Sequence, residues 1–138
     1  MPFITFKIDD DRSEETFGEL AKAVTDAVMA TLGSQPQWVT IVFETYARRR
    51  WSLGGALQHG SEAVEGSRPF ISVKFHKGRQ ADKKRQVAAG ITDAVVSVLG
   101  GERDWVTVVF DDYAQEDWAI GGRLQLDRHG PVPPPDPV

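Results

Sequence analysis

The chain has no cysteine, which excludes disulfides, thiolate nucleophiles, Cys-ligated zinc and iron–sulfur clusters together. Its three histidines, His59, His76 and His129, are far apart and form no i, i+4 pair. A histidine metal site has no support on that spacing, and neither a metal nor a cofactor is expected. No apolar run approaches the roughly 20 residues of a membrane span. Lys7, Asp9, Asp10 and Asp11 interrupt the stretch where a secretory leader carries its apolar segment. A cytoplasmic protein without a membrane partner is expected. Positive charge is also scarce: 16 Lys and Arg against 20 Asp and Glu give a formal charge of -4. No segment collects enough cations to follow a phosphate backbone, so nucleic acid is not expected as a partner.

At 41% hydrophobic and 26% charged residues over 138 positions, the composition is that of a globular chain. One domain fits this length, as do two half-size units sharing a core. An internal repeat selects the second arrangement. Shifted by 67 positions, the chain aligns with itself without a gap: Pro2-Phe3-Ile4 meets Pro69-Phe70-Ile71, and Lys7 and Arg12 meet Lys74 and Arg79. The register continues through Thr25 to Val28 over Thr92 to Val95, Trp38-Val39-Thr40 over Trp105-Val106-Thr107, and Tyr46 over Tyr113. Trp51 covers Trp118, and Gly54-Gly55 covers Gly121-Gly122.

Within each copy the hydrophobic period passes from two to about 3.6 and back to two, which predicts a β-α-β unit. Ile4, Phe6 and Ile8 mark the first strand; Ser13 is the predicted N-cap, with Glu14 and Glu15 in the first turn. Phe17, Leu20, Val24, Val28 and Leu32 follow at helical spacing up to Gly33, and Val39, Ile41 and Phe43 mark the second strand. The expected fold class is α/β: two fused β-α-β repeats forming one four-stranded sheet with two helices on one face. Residues 1–58 form the first repeat, 59–68 a linker, 69–126 the second repeat and 127–138 a tail with five prolines from Pro131 onward. The other sheet face would carry Thr5, Lys7, Thr40, Val42, Ser72, Lys74, Thr107 and Val109, a half-apolar set suited to burial between chains of a homo-oligomer.

Pro2 is the residue with the most chemical potential. Loss of the initiator Met1 leaves it as a secondary amine, and an α-amine titrates near about 7.7 to 8.0, lower when apolar surroundings disfavour its cation. Such a group is a general base that needs no metal. A strand-opening proline with only a structural role fits the same residue. Pro69 has the same neighbours but is an internal imide without a basic nitrogen.

Taken together, N-terminal Pro2 before an alternating strand, Arg12 before the helix, and Trp51-Ser52-Leu53-Gly54-Gly55 resemble the tautomerase superfamily. With the second copy, the chain resembles its fused, two-repeat 4-oxalocrotonate tautomerase-like members. The resemblance spans residues 2–58 and 69–125. It implies a trimer of fused chains and a cofactor-independent tautomerase acting on a small carboxylate-bearing substrate, a 2-hydroxy-dienoate or an enol-keto acid such as phenylenolpyruvate. It also implies Pro2 as catalytic base and acid, Arg12 and Arg79 as carboxylate ligands, and Trp51 and Trp118 as aromatic walls. Solvated arginines and hydrophobic plugs at a subunit boundary are the plain alternatives for those four residues. His76, in the loop that carries Arg79, is either a polar contact near the substrate or an exposed histidine.

The chain also departs from the family. The second arginine of its best-known member falls on Thr40 and Thr107, and the glutamate of related hydratases and dehalogenases falls on Leu53 and Ile120. A decarboxylase or a hydratase/dehalogenase on the same scaffold is the alternative enzyme, and a non-catalytic oligomeric ligand-binding protein the alternative outside enzymes. The copies differ most where Arg48-Arg49-Arg50 aligns with Gln115-Glu116-Asp117. Two solvated turns explain this, as does charge pairing across a pseudo-symmetric oligomer.

Overall fold

A computed structural model describes residues 2–60, 63–78 and 80–128. Strand β1 (Phe3–Asp9) turns Ile4, Phe6 and Ile8 to the interior. Helix α1 (Glu14–Leu32) follows. The Ser13 side chain accepts the Thr16 N–H at its start, and Gly33 ends it in the left-handed region at φ 69°. Both ends use the residues that satisfy orphan backbone groups most readily. Strand β2 (Thr40–Tyr46) completes the unit and leads into a two-residue hairpin, β3 (Ser52–Leu53) and β4 (Ala56–Leu57). The second repeat gives β5 (Phe70–His76), α2 (Ala81–Leu99), β6 (Thr107–Tyr113) and the hairpin β7 (Ala119–Ile120) and β8 (Arg123–Leu124).

The main sheet has the order β2-β1-β5-β6. Each repeat pairs its own strands in parallel, and the repeats join through β1 and β5 running antiparallel. The core is Ile4, Phe6, Ile8, Leu20, Val24 and Val28 with Ile71, Val73, Phe75, Val87, Ile91 and Val95. Each residue of the first six is matched 67 positions later in the second. The duplication is therefore also a duplication of packing. One of its internal contacts is not symmetric. Phe17 packs on Phe43 with centroids 5.0 Å apart, whereas its equivalent Lys84 reaches Asp112 at 2.7 Å beside Phe110.

On the face away from the helices, the register aligns Phe3, Thr5 and Lys7 with Thr40, Val42 and Glu44, and places Lys74, Ser72 and Phe70 beside them. Phe3, Val42 and Phe70 are exposed in the single chain. The glycine pairs make the hairpins: Gly54 and Gly55 have φ 61° and 86°, and Gly121 and Gly122 have φ 62° and 81°. Two successive positive φ values close a two-residue turn that follows the strand twist. The described part of the segment between repeats packs against the fold: the Arg68 guanidinium stacks 4.1 Å from the Trp105 ring centroid. The proline-rich stretch from Pro131 lies outside the described residues.

Candidate active site

Pro2 is buried, and its carbonyl accepts the Thr40 N–H at 3.2 Å, which ties it to the start of β2. Phe3 pairs with Lys74 across the antiparallel junction, so Pro2 lies beside the C-terminal end of β5. That strand end pairs His76 with Tyr113 of β6. A cavity of about 320 Å³ opens there, lined by Phe3, Lys74, Tyr113, Asp117, Trp118 and Ala119. Pro2 is not among these lining residues; it immediately precedes Phe3, which is. His76 is 5% exposed, against the plain expectation for a loop histidine, because its ring packs on Trp118 with centroids 5.0 Å apart. Tyr113 meets Trp118 edge to face at 5.8 Å. The aromatic wall beside Pro2 thus comes from the second repeat.

The equivalent end beside Pro69 is built differently. Arg12 lies 3.6 Å from Asp9, which is buried and also accepts a hydrogen bond from the Ser67 hydroxyl at 2.6 Å. Arg48 donates to the Val64 carbonyl and stands 5.8 Å from the Trp51 ring centroid. The Val64 N–H in turn donates to the Gln58 side chain at 2.7 Å. Burial pushes the Tyr46 hydroxyl above its ordinary pKa, with Asp9 reinforcing the shift and Arg48 opposing it. Segment 63–68 is therefore stitched across this end by Asp9, Arg48 and Gln58. Position 76, equivalent to Asp9, is histidine and supplies no such carboxylate.

Within one chain the structure brings Pro2, His76 and Trp118 to one end of the sheet, and Arg12 and Trp51 to the other. Arg79 lies outside the described residues; it follows His76 by three positions. Thr40, which stands where the family's second arginine falls, is opposite Phe3 on β2, one residue from Pro2. Lys74, Tyr113 and Asp117 were not singled out as candidates by sequence. The antiparallel β1–β5 register reveals them, together with the charge difference between Asp117 and Arg50. Among the described residues no cluster of three metal-ligating side chains occurs, and no helix is long and apolar enough to cross a membrane.

Two fused β-α-β units with a cavity opening next to Phe3, the neighbour of Pro2, define a duplicated fold with two unlike ends. The family model described as "Tautomerase enzyme" matches residues 2–59 and 69–127, and the chain belongs to this family. Probable tautomerase RSp1151 of Ralstonia nicotianae is 37% identical over 62 residues, which is 45% of this chain and 95% of the relative. Probable tautomerase K2 of Dickeya dadantii is 33% identical over 61 residues, covering 44% and 91%. The crystal structure of native fused 4-OT superposes with a TM-score of 0.82 at 21% identity, covering 89% of this chain and 95% of that one. A fused 4-OT wild-type asymmetric trimer gives 0.79 at 21% identity, with the same coverage. A malonate semialdehyde decarboxylase inhibited by 3-bromopropiolate gives 0.70 at 22% identity, covering 86% and 88%. At these identities the structures establish the shared fold.

Proposed function

We propose that the protein is a cofactor-independent tautomerase whose single competent site per chain lies at the Pro2 end. With Met1 removed, the Pro2 amine takes the hydroxyl proton of an enol or dienol acid, and the resulting ammonium delivers a proton to carbon, giving the keto isomer. Arg79 pairs with the substrate carboxylate in two charge-assisted hydrogen bonds and steadies the enolate. Trp118, backed by His76, walls the site and keeps it poor in water. Arg12 and Trp51 serve the Pro69 end, where no amine exists. The observation that carries this reading is the pairing of Phe3 with Lys74, which sets Pro2 beside the strand leading to Arg79.

Isomerisation is favoured over decarboxylation because the curated relatives that cover a full repeat are named probable tautomerases. A trimer is supported by the fused 4-OT trimer of the same fold and by the exposed Val42 and Phe70 on the helix-free sheet face. The test is activity on phenylenolpyruvate. Pro2→Ala should lower kcat/KM by about 100-fold or more, the scale of a lost general base, while Pro69→Ala should lose far less. Equal rates for the Pro2 variant and the wild type would remove Pro2 from the mechanism.

A further inference from the structure

The residues that line the cavity beside Pro2 have counterparts by the repeat. Phe3, Lys74, Tyr113, Asp117, Trp118 and Ala119 correspond, 67 positions apart, to Phe70, Lys7, Tyr46, Arg50, Trp51 and Ser52. Four of the six are identical in type, and Ala119 for Ser52 is a small change. One charge changes sign: the Pro2 end has Asp117 where the other has Arg50. Solvation of the turn does not require an acid there, since the other copy solvates an arginine equally well.

Among the described lining residues Lys74 is the one cation and Asp117 the one anion. Lys74 lies 3.9 Å from Asp111, a loose contact, and Asp111 is also held by the Ser72 hydroxyl at 3.2 Å. The Lys74 side chain is one-third exposed and can turn to an incoming carboxylate. Phe3, Trp118 and Ala119 offer apolar surface alongside it. A second carboxylate in the same cavity meets Asp117. Among the described lining residues the one cation is thus balanced by one anion, which suits one carboxylate better than two.

Resting on the tautomerase reading of this site, we propose that Lys74 and Asp117 make it selective for monocarboxylates with an apolar or aromatic tail over dicarboxylates. Lys74 adds a second cation to the one carboxylate that Arg79 pairs with in the proposed mechanism, the tail lies along Phe3 and Trp118, and Asp117 repels a second carboxylate. The charge reversal between the repeats is thus a specificity device.

Binding of unreactive acids tests this apart from turnover. Isothermal titration of the full-length protein should show cinnamate binding about tenfold tighter than trans,trans-muconate. Asp117→Asn should narrow that ratio by roughly two- to fivefold, the scale of one partly solvated charge pair. Lys74→Met should weaken cinnamate about tenfold, the loss of a charge-assisted hydrogen bond, and Lys74→Arg should keep most of the affinity. Equal affinities, a preference for muconate, a ratio unmoved by Asp117→Asn, or Lys74→Met binding like wild type would overturn the proposal. If the acids bind in the expected order but phenylenolpyruvate is not isomerised, the tautomerase reading fails and the selectivity stands.

Discussion

Arg12 and Arg79 hold the same place in the repeat but follow different residues three positions earlier in the sequence. Arg12 has Asp9, buried and tied to Ser67, while Arg79 has His76. Removing one member of a largely buried pair leaves the other charge uncompensated. Arg12→Ala should therefore show mainly as lost stability, about 1–3 kcal/mol after allowance for the remaining Ser67 bond. Arg79→Ala should lower kcat/KM about ten- to 100-fold, with a raised KM, because in the proposed mechanism its bonds form with the substrate. Steady-state kinetics beside thermal denaturation separates the two; a larger kinetic loss in Arg12→Ala would reverse the assignment. Ser13 and Gly33 were legible as caps because their chemistry is local. The burial of His76 was not legible, because it depends on Trp118, 42 positions further along the chain.

The helices lie where the 3.6 period places them, and the strands where the period of two does. What alternation does not specify is which strands meet between repeats. Either edge of a β-α-β unit presents unpaired backbone, so the β1–β5 junction, and with it Lys74 and Asp117 near Pro2, required the structure. Helix pairing has the same character. Lys83 of α2 donates to the Thr31 carbonyl at 3.0 Å, supplying at the end of α1 a cation that its own last turn lacks. Gly90 of α2 approaches α1, and an added Cβ would lie 3.5 Å from Ala27 Cβ and 3.8 Å from Thr31 Oγ1, ordinary contact distances. Gly90→Ala should thus raise stability by about 0.5–1 kcal/mol through helix propensity alone. A lower melting temperature for that variant would mean that the helix interface has no room for a methyl group.

Over the whole molecule, duplication has produced a symmetric core and two unlike ends. The twelve matched core residues keep the halves interchangeable in packing, while Pro2, His76 and Asp117 at one end and Pro69, Asp9 and Arg50 at the other separate them in chemistry. The central claim is that each chain carries one reactive amine, at Pro2. Native mass spectrometry after treatment with 2-oxo-3-pentynoate tests it most directly, because an amine adds to the activated alkyne and the proton passes to the neighbouring carbon. The expected species is an assembly of three chains, each of the mass of the 15.3 kDa sequence less Met1 plus one adduct that maps to Pro2, with activity abolished. Met1 retained on active protein, or inactivation with the adduct on Lys74 and Pro2 unmodified, would contradict it.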